Sequence, residues 1–140
     1  MRADQASTAK TILVVEDERI VAKDLQHVLS RFGYSVPATA ASSEDAIRLA
    51  AEKCPDLVLM DIRIKGHRDG IETAAILRER FGVPIIFLTA YADDDAVARA
   101  KKAEPYGYLV KPVRADELRN TVEIALTKHE MERRLRGSER

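Results

Sequence analysis

Residues 56–70 read DLVLMDIRIKGHRDG, and they decide the fold. Leu57 to Met60 are an unbroken apolar run, which is how a strand covered on both faces of a parallel sheet reads. The run ends on a carboxylate, Asp61, before a loop rich in charge and glycine. An acid at the tip of a buried strand is presented to something.

Four more short apolar runs flank this one: TILVV (11–15), YSVPATA (34–40), VPIIFL (83–88) and YGYLV (106–110). TILVV and VPIIFL are as continuous as DLVLM and read as central strands. The second alternates and carries Pro37, which suits an edge. Helical patterns fill the gaps. Residues 18–31 set Ile20, Val21, Leu25, Val28 and Leu29 on one stripe. SSEDAIRLAAEK (42–53) opens on a serine cap signal, with Ala46, Ile47, Leu49 and Ala50 as its apolar face. GIETAAILRERFG (70–82) ends at Gly82 with Pro84 beyond. DDDAVARAKKAE (93–104) starts acidic and ends basic, complementing the helix dipole. A last helix starts near Ala115 and carries Leu118, Val122, Ala125 and Leu126. Five strand–helix alternations predict a doubly wound α/β sheet with right-handed crossovers.

The bulk numbers fit one domain. The chain has 140 residues, 46% apolar and 33% charged, an ordinary soluble balance. Lys plus Arg and Asp plus Glu are 23 each, which argues against non-specific attraction to nucleic acid or an anionic membrane. The single cysteine, Cys54, excludes an internal disulfide and a cysteine-based zinc cluster. No apolar run approaches the roughly 18–20 residues that cross a bilayer. The first ten residues lack a signal peptide's apolar core. They read as a flexible lead, and the chain reads as cytoplasmic.

In such a sheet, ligands bind beyond the carboxyl ends of the strands. Glu16 and Asp17 follow the first run, Asp61 ends the third, Thr89 follows the fourth, and Lys111 and Pro112 follow the fifth. Three carboxylates crowded at one sheet end repel and need a cation. One lysine is too little. Mg²⁺ suits a small set of oxygen ligands that leaves room for water. A carboxylate beside a metal and a lysine can act as a nucleophile toward a phosphoryl group, forming an aspartyl phosphate.

With these residues assembled, the chain resembles the receiver domain of two-component response regulators. The resemblance rests on Glu16-Asp17 in VVEDE, Asp61 in LVLMD, Gly70, LTA at 88–90 and KP at 111–112, each at a strand end and in order. It implies a flavodoxin-like (βα)5 fold with strand order 2-1-3-4-5. It implies a flexible lead over 1–10, a receiver domain over 11–127 and a helical extension over 128–140. Asp61 would accept the phosphoryl group from a histidine kinase or phosphotransfer protein. Asp17 and Glu16 would hold Mg²⁺ with Asp61 and the backbone carbonyl of Arg63. Thr89 and Lys111 would contact the phosphoryl group, and Tyr108 would be the aromatic switch that turns inward. Arg63 and Tyr91, two residues after Asp61 and Thr89, would tune the rate of phosphoryl loss, and their bulk predicts slow loss. The chain would not be an enzyme in its own right.

This sequence departs from the family pattern in three places. Lys65 stands where proline is usual, the loop to Gly70 is one residue longer, and Glu16 replaces the commoner aspartate. Output is expected through protein contacts on the last helix–strand–helix face, to a downstream protein or a second copy. Met131 and Leu135 fall beyond the sheet's reach, at coiled-coil spacing from Ile124. A frayed tail, a homodimer seam and a linker to a further domain all fit that pattern. The alternative of another class is a Mg²⁺-dependent phosphatase with an aspartyl nucleophile. Such enzymes place a second acid two residues after a nucleophile at the first strand. Here that spacing holds Glu16 and Glu18, with no Asp-x-Asp.

Overall fold

The computed structural model describes residues 9–90 and 94–138. Five strands alternate with five helices: β1 Ile12–Val15, α1 Arg19–Arg31, β2 Thr39–Ala40, α2 Ser43–Lys53, β3 Leu57–Asp61, α3 Gly70–Phe81, β4 Ile85–Thr89, α4 Asp94–Lys102, β5 Gly107–Val110 and α5 Ala115–Ser138. The strands are all parallel, in the order β2-β1-β3-β4-β5. This is the doubly wound sheet that the sequence predicts, in the flavodoxin-like strand order that the resemblance implies.

The continuous apolar runs are explained by the two layers around them. Ile12, Val14, Leu57, Leu59, Ile86 and Leu88 face α1 and α5, where Leu25, Leu29, Leu118 and Val122 are buried. Leu13, Val15, Val58, Met60, Ile85 and Phe87 face α2, α3 and α4, where Leu49, Ala74, Leu77, Ala96 and Ala100 are buried. Each apolar side chain of β3 therefore finds a packed layer. Truncating Leu59 to alanine would cost about 2–5 kcal/mol.

Local signals set the helix ends. The Ser42 hydroxyl accepts from the Asp45 amide at 3.2 Å at the start of α2. Asp69 and Glu72 form a reciprocal capping box on α3. Gly82 ends α3 at φ 65°, a left-handed conformation that favours glycine. Two expectations are corrected. The second strand shrinks to Thr39–Ala40, because Pro37 has no amide to offer a ladder. Ile20 is 85% exposed, because with 3.6 residues per turn it falls on the side of α1 opposite Ala22, Leu25 and Leu29. Ala22, Leu25 and Leu29 carry the buried face instead.

Candidate functional site

The carboxyl ends of β1, β3, β4 and β5 bring Glu16, Asp17, Asp61, Thr89 and Lys111 to one edge of the sheet. The β ladder fixes this. Val15 pairs with Met60, Asp61 with Leu88, and Thr89 with Val110, so the residues ending each strand lie level. Gly70 tightens the arrangement. A Cβ there would stand 2.0 Å from the backbone oxygen of Asp61, and the Gly70 amide donates to the Ile62 carbonyl at 2.7 Å. Only glycine lets α3 start this close to the acid.

Asp61 is 5% exposed, and both its oxygens are engaged. Oδ1 accepts from the Arg63 amide at 3.0 Å, and Oδ2 accepts from Lys111 Nζ at 2.9 Å. Lys111 also reaches Glu16 Oε1 at 2.7 Å, so one ammonium bridges two acids. The contact with Oε1 is an ion contact off the hydrogen-bonding directions, which leaves that buried oxygen without a directed donor among the described residues. Glu16 Oε2 accepts from the Glu18 amide at 3.1 Å.

Burial pushes the Glu16 carboxyl up to about 7. Lys111 pulls it down, and the nearby Asp61 carboxylate raises it further. Lys111 is held above its ordinary value: burial acts against its charge, but its bonds to Glu16 and Asp61 prevail. One carboxylate oxygen from each of Glu16, Asp17 and Asp61 lies within 4.8 Å of the others. A hard cation fits this donor set. It would share the Glu16 oxygen that Lys111 meets as an ion contact and would offset the charge that one lysine only partly balances. A cavity of about 350 Å³ opens here, lined by Asp17, Asp61, Arg63, Thr89 and Lys111 among others. It gives a small anion access to Asp61.

The other candidates are placed as follows. The Thr89 hydroxyl is buried and donates to the Ala90 carbonyl at a long 3.3 Å, a bond easily exchanged for a better acceptor. Tyr108 packs against the α3–α4 side of the core, and its buried hydroxyl has no hydrogen-bond partner among the described residues. Arg63 is exposed at the cavity rim. Tyr91 lies outside the described residues.

Several contacts were not readable in the sequence. Asp69 Oδ2 pairs with Arg99 at 2.7 Å, tying the loop after Asp61 to α4. The Arg78 guanidinium donates to the Ala103 carbonyl and holds the end of α4 to α3. Tyr106 bonds Glu132, and burial together with that carboxylate pushes its hydroxyl up to about 12. Each joins residues at least 25 apart, and nothing in local periodicity signals such a pair.

A family model described as "Response regulator receiver domain" matches residues 12–123. Among curated relatives, the transcriptional regulatory protein PdtaR of Mycobacterium tuberculosis is 35% identical over 123 residues, 88% of this chain and 60% of that protein. The transcriptional regulatory protein ZraR of Salmonella typhimurium is 39% identical over 116 residues, 82% of this chain and 26% of that protein. This chain thus spans 60% or less of either relative. Among solved structures, the signal receiver domain of a modulated diguanylate cyclase from Desulfovibrio desulfuricans G20 superposes with a TM-score of 0.83. It is 41% identical, and the match covers 89% of this chain and 98% of that one.

Proposed function

The chain belongs to the response regulator receiver domain family, and on that premise we propose that it is a switch whose Asp61 accepts a phosphoryl group. The donor would be a phosphohistidine on a histidine kinase or a phosphotransfer protein. One observation carries this reading: Lys111 Nζ bonds Asp61 Oδ2 at 2.9 Å inside a cavity that Thr89 also lines. A carboxylate oxygen of Asp61 forms the new O–P bond. The P–N bond breaks, and the donor imidazole leaves with that electron pair, neutral because its other ring nitrogen has taken a proton. Lys111 stays on the acceptor side and offsets the charge arriving on the phosphoryl oxygens. Thr89 turns from the Ala90 carbonyl to one of those oxygens.

Glu16, Asp17, Asp61 and the Arg63 carbonyl would hold Mg²⁺, which supplies neutralisation of phosphoryl charge when bound. Arg63 and Tyr91 would restrict water's approach and slow the loss of the group. Tyr108 would report the modified state on the face formed by α4, β5 and α5, where a downstream protein or a second copy binds, in the cytoplasm. The similar proteins include transcriptional regulatory proteins and the signal receiver domain of a diguanylate cyclase. The phosphatase alternative wants a second acid two residues after the nucleophile, and after Asp61 that position is Arg63.

The test is intact mass after incubation with acetyl phosphate and Mg²⁺. A gain of one phosphoryl group is expected in the native chain and none in Asp61→Asn. An equal gain in both would put the acceptor elsewhere.

A further inference from the structure

Helix α5 outlasts the domain, and its continuation walls a cavity at the end of the sheet opposite Asp61. Its last fully buried residue is Ala125, yet it runs on to Ser138. His129 fastens the continuation. Its Nε2 stands 2.9 Å from the Gly82 carbonyl, and its ring meets Tyr106 edge-on at 5.6 Å. Between this stretch of α5 and the residues that lead into β1, β3 and β4 lies a cavity of about 330 Å³. That is room enough for a small ligand. Strand β3 spans about 13 Å between this end and Asp61, so the two sites are separate.

The charges lining this cavity do not balance locally. Lys10, Arg133 and Arg136 all line it, and none pairs with a carboxylate among the described residues. The two acids in the lining are engaged elsewhere. Asp56 Oδ2 accepts from the Thr11 amide at 2.8 Å, and Glu130 pairs with Arg134 at 3.6 Å. Arg133 and Arg136 stand three apart on one helix face, where like charges repel. An anion held between them relieves that repulsion. We propose that the cavity binds a small molecule through its diphosphate group. Guanidinium forks suit phosphate oxygens, which they meet with paired hydrogen bonds. Three cations match a diphosphate better than a single phosphate, whose charge is about −2 at most. Phe81, 41% exposed, adds an apolar part to the lining for the rest of the molecule. Binding here is independent of Asp61 chemistry.

The test is a titration of the full chain with pyrophosphate, without Mg²⁺, followed by heteronuclear NMR. Amide shifts at Gly82, His129 and Arg133 should saturate with a Kd below about 1 mM, while Thr89 and Lys111 stay in place. Affinity should fall as NaCl is raised. Arg133→Gln should weaken binding about tenfold, the loss of one charged hydrogen-bonding partner. Arg48→Gln removes the same charge from α2 and should leave binding unchanged. Both side chains are exposed, so the fold tolerates either change. ADP then identifies the source of the diphosphate. Binding tighter than pyrophosphate, reduced to the pyrophosphate level in Phe81→Ala, makes the ligand a nucleotide; equal or weaker binding makes it an inorganic diphosphate. Shifts that do not saturate by about 10 mM would overturn the proposal. So would shifts confined to Thr89 and Lys111, or equal weakening by Arg133→Gln and Arg48→Gln.

Discussion

Replacing Glu16 by glutamine should change how stability depends on pH. The Glu16 side chain is fully buried beside Asp61, and its carboxyl titrates near 7 rather than near the ordinary 4.5. The raised value means that the folded protein favours the protonated acid. Below about 4.5 the carboxyl is protonated in both states, and its contribution is fully present. As pH rises through about 7, the unfolded chain has already released this proton and the fold loses stability. A displacement from 4.5 to about 7 corresponds to roughly 3 kcal/mol, since each pH unit is worth about 1.4 kcal/mol. Glutamine keeps the shape and removes the titration. Urea unfolding of both proteins at pH 5, 6, 7 and 8 reads the effect. The native chain should lose about 2.5 kcal/mol relative to Glu16→Gln between the ends of that range, since a little of the full effect is already spent at pH 5. Added Mg²⁺ should recover part of the loss at pH 8, because the ion binds the deprotonated carboxylate. A difference between the two proteins that stays flat from pH 5 to 8 would refute the link between burial and titration at Glu16.

Three further outcomes follow from the geometry. Gly70→Ala places a Cβ 2.0 Å from the Asp61 carbonyl, so the start of α3 must shift; a loss of about 3 kcal/mol is expected in urea unfolding, with weaker phosphoryl acceptance. Tyr108→Phe removes a buried hydroxyl that lacks a partner among the described residues and should raise resting stability by about 1 kcal/mol, read as a higher Tm. Asp69→Ala removes both the α3 cap and the anchor for Arg99; it should cost about 1 kcal/mol and speed amide exchange in α4, which is held to the core by the small side chains of Ala96 and Ala100.

The fold was legible wherever burial was two-sided. TILVV, DLVLM and VPIIFL are continuous because both faces of their strands are covered, and a strand with one wet face would alternate instead. The acid edge was legible for a related reason. Parallel strands deliver their last residues to one side, so Glu16, Asp17, Asp61, Thr89 and Lys111 had to come together. Legibility failed where the apolar pattern was looser than the helix allows or a single residue broke an element. Ile20 is five residues from Leu25, so it points away from the face that Ala22, Leu25 and Leu29 bury. Pro37 shortened β2 by removing a donor. The Ser43 and Thr73 hydroxyls meet at 2.8 Å where α2 crosses α3, and both side chains are buried. Polar residues on a helix ordinarily read as surface, so this pair and Arg99–Asp69 left no trace in the pattern.

The proposed switch requires that Asp61 be the group that is modified and that Thr89 and Tyr108 sense it. The most direct measurement is a set of heteronuclear NMR spectra recorded with Mg²⁺, before and after adding beryllofluoride, which stands in for a phosphoryl group on a carboxylate. The native chain should show shifts at Thr89, Tyr108 and Lys111 that are absent in Asp61→Asn. Spectra that do not change in the native chain, or that change equally in Asp61→Asn, would contradict a phosphoacceptor role for Asp61.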